Sequence, residues 1–207
     1  MPIPTVMFTS KPNLEELFGI ATEQGGYFTA TQAANCGYSR TLLSYHAKSG
    51  RFIRTGNGLY RFRDYPSSSR EDVLSAWLAA DKDVAVVSHE SALDLLDLSD
   101  IVPSHVHLTV PRQNRNMRAR PGVRVHTTTR SFGQGEIVTR EGIRMTSPTR
   151  SILDVAQTGA SPEQVEMAVI QAIDRGLATK QGLRAGAGQR NRRVSALIRA
   201  ALAKVKR

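Results

Sequence analysis

The chain has 207 residues, with 28 Lys or Arg against 18 Asp or Glu, a net charge of +10 and a pI near 10.3. Hydrophobic residues make up 40%, enough for a packed core and too many for a disordered chain; the length allows one large domain or two small ones. One cysteine excludes an internal disulfide and a cysteine-rich zinc module, and the absence of a long apolar run or a secretory leader pattern leaves a soluble cytoplasmic protein whose first expected partner is a polyanion.

Asn13 to Gln24 places Leu14, Leu17, Phe18 and Ala21 on one face of an amphipathic helix, with Asn13 as N-cap and Glu15 and Glu16 in the first turn. Gly25-Gly26 ends it, and Tyr27-Phe28 forms a short extended piece. Thr29 or Thr31 then caps a short helix to Asn35, stopped by Gly37. Ser39 caps a third helix, Arg40 to Ser49. Leu43, His46 and Ala47 fall on one side of it, and Arg40, Thr41, Ser44, Tyr45 and Lys48 on the other. After Gly50 the period changes from 3.6 to 2. Residues 51–55 and 59–63 read as two strands joined by Gly56-Asn57-Gly58, edged by Arg51, Arg54, Arg61 and Arg63.

Three helices and a hairpin are the order of a winged helix-turn-helix. Residues 36–63 hold six basic side chains and no acid, which suits a helix in the major groove and a ribbon on the phosphates. The polar stretch from Asp64 to Ser69 sets a boundary, giving domains 1–64 and 65–207. The second domain reads as mixed α/β, so the whole chain is α+β.

In the second domain, Ser69 opens a helix over Arg70 to Ala80, and Val84 to Val87 is a buried strand. Ser88-His89-Glu90-Ser91 opens another helix. Residues 105–110 and 123–127 alternate as strands, with a mobile basic loop or solvated hairpin connection between them that carries Arg112, Arg115, Arg118 and Arg120. A strand pair follows around Glu141-Gly142. Ser147-Pro148 and Ser161-Pro162 start two helices. A final basic helix spans about Arg190 to Lys206. The last 33 residues contain ten Lys or Arg and no acid, whereas the charges of the rest cancel. Arg190, Arg192 and Arg193 therefore join the loop arginines as further candidate contacts for nucleic acid or another anionic partner.

Signs of catalysis are few. His105 and His107 project to one face of a strand, with His126 on a neighbouring one, but a metal site needs a third ligand of matched geometry; no metal and no cofactor are expected. Gly186-Ala187-Gly188 is a lone glycine pair ahead of a basic helix, a minimal phosphate-loop candidate. Asp154 and Glu166 read as helix-surface charges. The strands 105–110 and 123–127 carry no Asp or Glu for a nuclease-type Mg²⁺ site, so the expectation is a binding protein and not an enzyme.

The layout resembles the AbiEi-type antitoxins, the transcriptional-regulator half of type IV toxin–antitoxin systems. The matching stretches are Gly50-Arg51-Phe52-Ile53-Arg54 with Gly58-Leu59-Tyr60, then Val87-Ser88-His89-Glu90-Ser91-Ala92, His107-Leu108-Thr109-Val110-Pro111, and residues 146–154 (TSPTRSILD). The resemblance covers about residues 13–155. It implies a repressor of its own operon that binds double-stranded operator DNA of inverted repeats, and a second domain that neutralises a nucleotidyltransferase-like toxin. It leaves open whether the protein forms a homo-oligomer on DNA. Some relatives carry a further nuclease-like domain, for which this chain is expected to be too short. The alternative is a non-enzymatic module whose basic second domain grips an anionic protein or RNA.

Overall fold

Asn13 starts the first helix by accepting a hydrogen bond from Glu16 N at 3.1 Å, and α1 runs over Leu14–Thr22. The computed structural model describes residues 11–100, 102–117 and 120–205. Short side chains begin the next two helices in the same way. Thr29 ends β1 (Tyr27–Thr29) and forms a capping box with Gln32 at the head of α2 (Ala30–Asn35), and Ser39 caps α3 (Arg40–Lys48). Each cap satisfies an N–H that has no carbonyl partner within its helix, worth about 1 kcal/mol. β2 (Phe52–Gly56) and β3 (Leu59–Phe62) form the hairpin, and β1 adds to it, giving an antiparallel sheet of order β1-β3-β2.

Aromatic rings fill the space between this sheet and the helices. Phe28 and Phe52 are fully buried, with ring centroids 4.9 Å apart edge to face, and Phe52 meets Phe62 at 5.1 Å in the same geometry. Burying each Phe contributes about 1.5–3 kcal/mol, and edge-to-face pairing adds about 0.5–1.5 kcal/mol. Leu17, Ala21, Ala33, Cys36 and Leu43 close the core from the helical side. Cys36 is a small core residue, as its sequence context suggests.

The chain divides into two units after Asp81, not at residue 64. The reason is α4 (Glu71–Ala79), which packs on β1 and β3 and so belongs to the first unit. Gly25, at φ +62°, records how close that packing is: a β-carbon there would lie 2.5 Å from Leu74. Only glycine fits both the left-handed backbone and that gap.

The second unit has a five-stranded mixed sheet of order β6-β5-β4-β8-β7. Its strands are β4 (Val86–Val87), β5 (Val106–Pro111), β6 (Val123–Thr128), β7 (Ile137–Arg140) and β8 (Ile143–Thr146). β5 and β6 run parallel, so the segment between them is a crossover and not a hairpin connection; it opens with a short 3-10 helix, Arg112–Asn114. The turn into β8 does match its sequence, with Glu141 and Gly142 both at positive φ.

Helices complete the described part of the unit. α5 (His89–Leu95) packs on β5 and on α6 (Pro148–Thr158), and α6 also packs on α7 (Pro162–Asp174), α8 (Lys180–Gly188) and α9 (Arg192–Lys204). The start signals at Ser147-Pro148 and Ser161-Pro162 act as read: both serines cap, and both prolines sit in the first turn. α8 has no counterpart in the sequence reading. Its Gly186 lies inside a helix where a β-carbon would overlap Leu153 of α6, so the glycine serves close helix packing and not a phosphate loop.

Candidate nucleic-acid interface

The exposed side of α3 follows from its repeat. Leu43 turns into the core, while Arg40, Ser44 and Lys48, spaced four apart, make one exposed row with Thr41 and Tyr45 beside it. All five are exposed, and Tyr45 keeps 63% of its surface open to solvent. His46 sits inward of this row against Tyr45 and Phe52. Burial and the nearby Arg51 hold its imidazole below the usual range.

Three of the four hairpin arginines are also exposed: Arg51, Arg54 and Arg63. Arg54 Nε donates to Gly56 O at 3.3 Å, and Arg63 Nε donates to Gly50 O, so two of the guanidiniums are steadied by backbone carbonyls and not by acids. Arg40, Lys48, Arg51, Arg54 and Arg63 have no carboxylate partner among the described residues. Five uncompensated cations next to Thr41, Ser44 and Tyr45 make a surface with charge for phosphates and hydrogen-bonding groups for phosphates or base edges.

Arg61 does not belong to that surface. It is 6% exposed, and its Nη2 donates to Glu71 Oε1 at 2.8 Å, to Tyr65 O at 2.8 Å and to Pro66 O at 2.9 Å. β3 is the central strand. Tyr60 and Phe62 face the core, while Arg61 points to the opposite face, which α4 covers. Strand alternation marks Arg61 as facing away from the core, but only α4 shows that this face is also closed.

The second-unit arginines separate as well. Arg112, Arg115, Arg192 and Arg193 are exposed and Arg120 is half-buried; Arg118 lies outside the described residues. Arg190 is committed internally. Its Nη2 meets Asp154 Oδ1 at 2.6 Å, and Arg150 Nε holds the same carboxylate at 2.8 and 2.9 Å. Asp154 is thus buried, at 4% exposure, and is not a helix-surface charge. Glu136 extends the network by bridging Arg130 and Arg150 at 2.7 and 3.1 Å. Burial pushes the Glu136 carboxyl up, but the hydrogen bonds from Arg130, Gly133 N and Arg150 outweigh it and hold the group down at about 2. An open cavity of about 410 Å³ lies over this network, between Glu136, Pro148, Gly186 and Arg190. Glu166 of α7 pairs with Lys204 of α9 nearer the surface.

Among the histidines, His105 stands apart. It precedes β5, is exposed, and bonds Ser104. His107 and His126 do converge, with His107 Nδ1 3.0 Å from His126 Nε2. The third ring is His89 at the start of α5, which stacks on His126 at 3.6 Å. Burial, then the neighbouring His126 and His107, push the His89 imidazole down to about 2; burial and His107 bring His126 down to about 4. Its place at the head of a helix gave no sign that His89 would meet two strands.

No curated protein sequence matches the chain. In structure the chain is similar to the RV2827C protein from Mycobacterium tuberculosis, whose crystal structure aligns with 91% of this chain and 80% of that one at a TM-score of 0.56 and 15% identity. That identity bears on the fold alone. The part of the chain that carries the cationic face, residues 15–63 from α1 to the end of the hairpin, matches the family of transcriptional regulators described as AbiEi antitoxins.

Proposed function

We propose that the protein is a DNA-binding repressor of its own operon, with α3 in the major groove, the β2–β3 hairpin as the wing of a winged helix, and an antitoxin role carried by the second unit. The observation behind this reading is the exposed row of Arg40, Ser44 and Lys48 beside Arg51, Arg54 and Arg63, with no acid from residue 36 to 63. The family match over the same residues supports a DNA-binding antitoxin role. The toxin it neutralises, in this reading, is a nucleotidyltransferase-like protein in the cytoplasm. In this reading the protein works by binding, and β5 and β6 carry no paired carboxylates of the nuclease type. None of the helices among the described residues is long and apolar enough to cross a membrane.

The test is a gel-shift titration of the full chain on the DNA upstream of its own gene, with unrelated DNA of equal length as competitor. The reading expects a preference of roughly 10³-fold or more for the upstream DNA. Equal affinity for both sequences contradicts it. Arg192 and Arg193, exposed and unpaired among the described residues at the head of α9, favour a second reading in which the basic second unit grips an anionic partner. Under that reading their replacement by alanine, and not changes in α3, abolishes partner capture.

A further inference from the structure

We propose that His89, His107 and His126 form a site for one divalent transition-metal ion of the zinc class. A ring nitrogen from each lies within 4.8 Å of those of the other two. Two imidazoles on one tetrahedral zinc, with Zn–N near 2.0–2.1 Å, hold their ligating nitrogens about 3.3 Å apart, close to the 3.0 Å between His107 Nδ1 and His126 Nε2.

The surroundings resemble those of a metal site more than those of a chance histidine contact. A ligating imidazole usually donates its other N–H to a carboxylate or another fixed oxygen, which sets the tautomer and aims the ring. Two of the three rings have such a partner. His107 Nε2 lies 2.7 Å from Glu90 Oε2, leaving Nδ1 toward His126. His89 Nδ1 lies 2.9 Å from Ser88 Oγ, itself fixed by a 2.7 Å hydrogen bond from Thr109, leaving Nε2 as the ligand. His107 and His126 stand on adjacent parallel strands, and His89 comes from the helix packed on β5, so the donors sit on ordered elements. His89 also has a left-handed backbone, φ +54°, which is uncommon for a residue with a β-carbon, and its ring stacks on His126.

Charge around the cluster is mixed. Arg124, Arg150 and Arg190 act on these rings, but Asp154 holds both Arg150 and Arg190, and Glu90 adds a negative charge at His107. Loading turns the stacked His89 and His126 rings about χ2, a broad torsion. Three imidazoles leave a tetrahedral ion one open position for water or a partner's side chain.

The experiment uses the full chain, stripped with a chelator and dialysed against zinc chloride, with metal read by elemental analysis and by visible absorption after cobalt loading. The wild type is expected to hold one ion per chain and to show the intense cobalt bands of a tetrahedral site. His126→Ala, on the half-buried edge strand, is expected to lose the ion and the bands, whereas His105→Ala keeps both. Glu90→Gln retains all three ligands and is expected to bind about 10–100-fold more weakly. Melting of each metal-free variant reports on folding, and the Glu90→Gln affinity carries the test if His126→Ala does not fold. Zinc content below one ion per chain in the wild type, equal content in His126→Ala, or equal affinity in Glu90→Gln overturns the proposal.

Discussion

Arg61 Nη2 of β3 and Glu71 Oε1 of α4 lie 2.8 Å apart, with the arginine side chain 7% exposed and the glutamate 29%. This pair fastens α4 to the face of the sheet opposite the aromatic core, and it explains why one of four hairpin arginines is structural while the other three face solvent. It also accounts for the reach of the first unit past residue 64, since the same guanidinium holds the carbonyls of Tyr65 and Pro66.

Arg61 and Arg63 should therefore respond in opposite ways to substitution. Arg61→Met is expected to destabilise the protein by about 1–3 kcal/mol, since it takes the side-chain donor from the carbonyls of Tyr65 and Pro66 and leaves Glu71 Oε1 with Ser68 N but no cation, while the salt dependence of DNA binding stays as in the wild type. Arg63→Ala is expected to leave stability within about 0.5 kcal/mol and to lower the slope of log affinity against log salt by about 1. Chemical denaturation and salt titration of both variants check this. A lowered salt slope in Arg61→Met would return that residue to the interface.

Asp154 carries two arginines, and its removal leaves both with a lost partner in a poorly solvated site. Asp154→Asn is expected to destabilise by about 3 kcal/mol, because breaking one side of a buried ion cluster exposes the desolvation cost of the rest. Denaturant unfolding measures it. A change below about 1 kcal/mol would mean that Arg150 and Arg190 reach water freely.

Acid should weaken the second unit through Glu136. Its carboxyl is held down at about 2, below the ordinary 4.5, so the folded state binds fewer protons than the unfolded state between these values. The stabilisation is complete above pH 4.5 and is lost as pH falls toward 2. Melting curves of wild type and Glu136→Gln are expected to differ most near neutrality and to converge near pH 2. A gap that stays constant over that range would contradict the carboxylate's role.

Much of the first unit is readable from local chemistry. Asn13, Thr29 and Ser39 mark helix starts because each side chain supplies its own missing hydrogen bond, and the change from period 3.6 to 2 after Gly50 marks the hairpin. The exposed row on α3 follows from the helical repeat alone. What escaped reading is non-local. The closed second face above Arg61 depends on α4, and the parallel pairing of β5 with β6 depends on which edges meet, which alternation does not encode. α8 escaped because Gly182, Gly186 and Gly188 weaken its helical pattern, although Thr179 caps it and Gly186 permits close approach to Leu153. The histidine cluster was half legible: His107 and His126 follow from strand register, whereas His105 falls just ahead of β5 and His89 arrives from a helix.

Whether α3 and the hairpin present free cations to duplex DNA is decided by a salt titration of upstream-DNA binding by the wild type and by Arg40→Glu/Lys48→Glu. With Arg40, Lys48, Arg51, Arg54 and Arg63 on phosphates, the wild-type slope of log affinity against log salt should be about −4 to −5. The double variant should lose its preference for the upstream DNA and show a slope shallower by about 2. A wild-type slope near zero, or a double variant with unchanged preference and slope, would contradict that role of the cations.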